Sequence, residues 1–185
     1  TPPREVAMKL IVGMNAMLQK HIPGQVGRYD DGFNDNCIGD TFQMLNVPTI
    51  LFESGHYPED YEREKTRELI FLSIIEALKI IANNEIDTYK TGDYFSIPGN
   101  QKLFFDIIIR NAELVDPEIE PGQKVGIRYK EVLDIDKIIF KPQIVEIGLL
   151  EGFYGHQTIE CIDTKDFGFT SSEKEIIDLL LKTKK

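Results

Sequence analysis

Thr49-Ile50-Leu51-Phe52 is apolar after its first residue and runs directly into Glu53. Ser54, Gly55 and His56 follow as a polar turn. The pattern reads as a short strand ending in a carboxylate, which could move a proton or face a cation. Burying an unpaired carboxylate costs roughly several kcal/mol unless its pKa moves or a positive group faces it. A functional Glu53 therefore needs a metal ion or an arginine beside it. Strand ends that open into loops are where α/β folds place such chemistry. The plainer reading is an acid just past a strand end, solvated or bonded to its own turn.

Other candidate groups lie nearby in the chain. The stretch from Gly24 to Asp40, "GQVGRYDDGFNDNCIGD", is rich in Gly, Asp and Asn and has no period, so it reads as a long loop. Loops of that length without structure of their own are uncommon unless functional. Arg28 in this loop could bind a carboxylate, or simply be solvated. His21, His56 and His156 are widely scattered and make no local zinc set, which needs several ligands converging tetrahedrally. Cys37 and Cys161 are too few for a disulfide framework and read as two buried thiols.

The elements that must hold these groups follow from periodicity. Thr1-Pro2-Pro3 suits a helix start, and apolar residues from Val6 to Leu18 recur at three- and four-residue steps. Ile22-Pro23-Gly24 ends that helix, and a short helical piece is expected at 41–45. A long helix is expected from about Glu59 to Asn84, with Asp60, Glu62, Glu64 and Glu68 complementing its dipole. Its stretch Leu69–Ala82 is apolar nearly all round, with Ser73, Glu76 and Lys79 as one thin polar stripe. Such a helix has to be buried on most of its circumference. One helix and one strand upstream cannot cover it, so a second copy of the chain or more of the same domain is expected to do so.

Asn83-Asn84 and "EIDTYKTGD" mark a boundary. Beyond it, candidate strands at 94–97, 103–110, 124–129, 137–140, 144–147 and 158–162 alternate with turn signals such as Pro98-Gly99 and Pro121-Gly122. These predict a small all-β module, a barrel or a sandwich, over 92–168. Thr170-Ser171-Ser172-Glu173 is a capping box, and Ile176, Ile177, Leu180 and Leu181 give an apolar face to a closing helix within 169–185.

The Gly/Asp/Asn loop, the segment "GDTFQMLNVPTILFESG" and the helix "REKTRELIFLSIIEALKII" together resemble the last part of a catalytic domain in the M14 family of zinc carboxypeptidases. The resemblance covers about residues 1–84. It implies an α/β fold in which residues 1–86 are the C-terminal half of the catalytic domain, with the β module appended. In that family a loop aspartate is followed some thirteen residues on by a strand ending in Phe-Glu; Asp40 and Glu53 stand at those places. The resemblance makes Glu53 the general base on zinc-bound water. It makes Gly39 part of the pocket for the substrate's terminal side chain, neutral and roomy. The family's mobile tyrosine would fall on Gly32, so Tyr29 could serve only with a rearranged loop; Arg28 is the candidate for a substrate carboxylate. The family's zinc ligands, a His-x-x-Glu pair and a later His, are absent here, so zinc would be held by residues outside this chain, which alone would be inactive.

Three readings stay open. One is a metallocarboxypeptidase acting on peptides, and another is a deacylase or amidohydrolase of the same family acting on acylated amino acids. The third is a non-catalytic binding or scaffold protein that works through its β module. Composition narrows the field. The 185 residues carry a net charge of −10, with no Lys/Arg cluster interleaved with aromatics, which argues against nucleic acid. No apolar run approaches the ~18 residues of a membrane span, and no signal-peptide pattern is visible. Compartment stays open.

Overall fold

Pro2–Leu18 forms α1, and its three-and-four spacing buries Pro3, Ala7, Leu10, Gly13 and Met14. In this computed structural model, which describes residues 1–30, 32–161 and 176–178, the chain divides into units Thr1–Lys102 and Leu103–Lys185. The first unit continues with α2 (Ile38–Met44), α3 (Glu64–Ala82), a 3-10 turn (Ile86–Thr88) and α4 (Thr91–Tyr94). The second carries β1 (Phe104–Arg110), β2 (Lys124–Asp134), β3 (Lys137–Gly148) and β4 (Tyr154–Glu160). The chain is thus of mixed α/β class.

In the first unit α1 packs on α3. Gly13 makes the close approach possible, because a Cβ there would lie 2.4 Å from Cδ1 of the buried Ile80. Leu69, Ser73 and Ile80 form the buried line of α3. The Ser73 hydroxyl donates back to the Leu69 carbonyl at 2.8 Å, which satisfies it inside the contact. Away from that line the helix carries exposed apolar residues, where the sequence calls for burial. Phe71, Ile74, Leu78 and Ile81 recur at three- and four-residue steps and are 60, 43, 55 and 48 % exposed. They make one continuous stripe along α3.

Three expectations for this unit change. Residues 49–52 form no strand among the described residues, because no neighbouring strand in the unit offers them a ladder. The long helix starts at Glu64 and not near Glu59, since Arg63 lies in the left-handed region (φ 63°) and breaks the helical path. Residues 94–97, expected as a strand, are the end of α4 and a turn. The two units divide after Lys102. Within the first, the Arg28 amide donates to Pro98 O at 2.7 Å and the Asn100 amide to Arg28 O at 2.8 Å, tying 98–100 to the long loop.

In the second unit the four strands lie in the order β3-β2-β1-β4, with β1 antiparallel to β2 and parallel to β4. Among the described residues this is one open sheet, where a barrel or sandwich was expected. The expected strands at 137–140 and 144–147 are one strand, β3, running through Pro142. Pro142 pairs opposite Tyr129 on the outer side of the sheet, where a missing amide donor is tolerated. Ile107, Ile109, Val125, Ile127, Ile159 and Cys161 form the main core, joined by Ile176 and Ile177 from the described turn of the closing helix. The capping box, Leu180 and Leu181 lie outside the described residues. Phe105, which strict strand alternation would place with Ile107 and Ile109, packs with Ile108, Leu150 and Phe153. As an inner strand, β1 is covered on both faces.

The two thiols differ. Cys37 is exposed, against expectation, because it sits in the polar loop just before α2. Burial, with Glu113 and Glu160 adding negative charge, pushes the Cys161 thiol up to about 11. It is a packed group and no nucleophile at neutral pH.

Candidate functional site

The segment that carries Glu53 is held by side chains and not by a sheet. Upstream, Gln43 on α2 donates from Nε2 to the Thr49 carbonyl at 3.0 Å. Gly39 lies at the same place: a Cβ there would be 3.5 Å from Cγ2 of Thr49. The loop before α2 is fixed in turn by Asp40, whose Oδ2 accepts from the Asn34 amide at 3.0 Å. Gly39 and Asp40, which the family resemblance singles out, both lie on α2, Gly39 beside Thr49 and Asp40 bonded to the loop ahead of the helix.

Downstream the fixing point is Arg63. Its Nη2 donates to the carbonyls of Ser54 at 2.5 Å and Gly55 at 2.8 Å. The Gly55 amide donates to the Glu53 carbonyl at 2.9 Å, closing a tight turn over the same atoms. Arg63 itself has a left-handed backbone, just ahead of α3. The helix end is stabilised separately by Asp60, only 8 % exposed, whose carboxylate accepts from the amides of Lys65 (3.0 Å) and Thr66 (2.8 Å) and from the Thr66 hydroxyl. It thereby satisfies helix donors that have no partner within the helix.

Burial pushes the Asp60 carboxyl upward, but the hydrogen bonds from Lys65 and Thr66 together prevail and hold it below its ordinary value of 3.8. A depressed acid stabilises the folded state above its unfolded pKa, and that contribution is lost as pH falls through the folded value. Hydrogen exchange at the start of α3, followed between about pH 5 and pH 2, is expected to lose protection in the acid range. Asp60→Asn should flatten this dependence, and an unchanged acid limb in that variant would assign it to another group.

Glu53 itself is exposed, and among the described residues its carboxylate has no hydrogen-bond or ion-pair partner. Leu51 and Phe52, just before it, are 63 and 39 % exposed. Arg28 and Tyr29 stand elsewhere in the unit, lining an open hollow with Asp30, Gly99, Asn100 and Lys102. Glu53 and Gly39 do not line it. Arg28 is already engaged: its Nε donates to Ile97 O at 2.7 Å, and its guanidinium lies 5.5 and 5.7 Å from the ring centres of Tyr94 and Phe95. It locks the loop to the segment after α4, which explains its position without a substrate. Tyr29 is 46 % exposed, with its ring at the surface.

Gln43, Asp60 and Arg63 carry the placement of Glu53 or the helix behind it, and spacing alone did not single out the first and third. Asp60 stood out only as a helix-dipole acid. An aspartate several residues ahead of a helix, followed by Lys-Thr in its first turn, is the signal that fits its capping role. Among the described residues no three His, Cys, Asp or Glu side chains come together as a metal site. No described helix is long and apolar enough to cross a membrane. Comparison with protein-family models, with curated proteins and with solved structures gives no match.

Proposed function

We propose that this chain is part of a zinc-dependent metallocarboxypeptidase of the M14 type, hydrolysing C-terminal peptide bonds, with Glu53 as its general base. The observation that carries this reading is the state of residues 49–53. An apolar run is pinned at both ends by side chains and, among the described residues, has no ladder and leads into a carboxylate with no partner. Such a segment has the character of a strand whose sheet is completed by other polypeptide. The uncovered stripe of α3, next along the chain, fits the same account: apolar surface of this kind belongs inside a domain.

The histidines of this chain do not fit a zinc site, so the metal's ligands are assigned to polypeptide outside it. When bound there, zinc would polarise the scissile carbonyl and acidify the attacking water. The contribution of this chain is the Glu53 carboxylate, which accepts the water's proton and passes it to the leaving amine. Gly39, next to Thr49, leaves a neutral floor for the substrate's terminal side chain, which favours uncharged over basic residues there.

The test uses the complete polypeptide that contains this chain. It should bind about one zinc per molecule and release the C-terminal residue of a model peptide, with release stopping when a chelator removes the metal. A polypeptide that neither binds zinc nor releases any residue would end this reading, whatever else it binds.

A further inference from the structure

We infer that Arg63 and Gln43 are positioning residues for Glu53, acting as a bracket that anchors the backbone on either side of it. The inference rests on the peptidase reading above and extends it to residues that touch neither substrate nor metal. A base must be held within hydrogen-bond reach of the proton it takes, and misplacement by about 1 Å can cost 10²-fold in rate. Strand residues normally obtain that precision from neighbouring strands. Among the described residues of their own unit, residues 49–55 have no such neighbour, and the backbone on either side of Glu53 is anchored by two side chains. Gln43 holds Thr49 O at 3.0 Å, while Arg63 holds Ser54 O and Gly55 O at 2.5 and 2.8 Å.

The chemistry of each anchor suits its place. Arginine presents several donors in one rigid plane, so a single side chain can satisfy two successive carbonyls and fix the turn between them. Arg63 makes these bonds from a left-handed backbone conformation that is unfavourable for a non-glycine residue. Ahead of it, Asp60 caps α3 independently, so the helix end does not depend on the guanidinium. Removing Arg63 should therefore free residues 53–55 without unwinding α3. Gln43 supplies one donor from a short helix whose own loop is fixed by Asp40.

The experiment has a structural and a kinetic arm. In this chain, Arg63→Ala should speed hydrogen exchange of the Gly55 amide, which bonds to Glu53 O, while α3 amides stay protected. In the complete zinc-loaded polypeptide, Arg63→Ala and Gln43→Glu (isosteric, but without the donor) should each lower kcat about 10- to 100-fold. KM and zinc content should stay within about twofold of the parent's, and Arg63→Lys, which keeps one donor group, should recover part of the loss. In a Glu53→Gln background, Arg63→Ala should lower the residual rate no further, because it acts through Glu53. A full additional loss in that background, or an unchanged kcat in both single variants, would overturn the bracket while leaving Glu53 as base. Full turnover in Glu53→Gln alone would remove Glu53 as the base, and the bracket's catalytic role with it, while the peptidase reading is decided separately by zinc binding and release of the C-terminal residue.

Discussion

Glu53→Gln in the complete zinc-loaded polypeptide is expected to lower turnover by roughly 10²- to 10⁴-fold, the range that general acid–base catalysis supplies. Glutamine keeps the shape of the side chain but cannot take a proton. The substitution should be structurally silent, because Glu53 is exposed and its carboxylate bonds to nothing among the described residues. Its backbone carbonyl, which accepts from the Gly55 amide, is unchanged by the substitution. Thermal stability and zinc content should therefore match the parent's. This combination separates the base from its alternatives. A zinc ligand replaced by glutamine would lose metal, and a structural acid would lower stability. A variant that retains full activity would remove Glu53 from the reaction.

The second large effect is on stability and concerns Gly126 in β2. A Cβ at this position would lie 2.7 Å from two ring carbons of Phe105. The ring has little room to withdraw. Phe105 is 2 % exposed, stacks on Phe153 with ring centres 5.0 Å apart, and is covered by the Arg128 guanidinium at 5.4 Å. Overpacking of this kind typically costs about 1–3 kcal/mol, against which alanine recovers about 0.5–1 kcal/mol of glycine's entropic penalty. Gly126→Ala is expected to destabilise the second unit by about 1–2 kcal/mol, lowering its melting temperature by about 5–15 °C. Adding Phe105→Leu should restore part of that loss, because it vacates the ring's edge at the clash. An unchanged melting temperature in Gly126→Ala would mean that the ring moves freely.

The site shows where sequence patterns reach and where they stop. Gly39 and Asp40 stand out only through the family resemblance; Gly39 lies beside Thr49, four residues before an exposed Glu53. Arg28 and Tyr29 were picked out as residue types in a long loop, and the fold puts them at a different hollow with Arg28 committed to Ile97, Tyr94 and Phe95. A guanidinium suits a substrate carboxylate and a pair of aromatic rings equally well, so residue type could not choose between them. Arg63 and Gln43 escaped notice because their bonds are to backbone carbonyls, which every residue has and no motif marks.

Periodicity by itself determined the helical faces of α1 and α3, the strands β1, β2 and β4 within a few residues, and the apolar surplus of α3. These are local properties, since side-chain direction follows from the 3.6- and two-residue repeats. Whether 49–52 pairs as a strand and whether 94–97 extends or turns depended on which backbone donors found distant acceptors. Arg28 with Pro98 and Asn100, and Arg63 with Ser54 and Gly55, decided those questions. Hydrogen-bond partners across dozens of residues are chosen by the tertiary arrangement, and the same apolar run is a strand or an irregular segment according to what lies beside it.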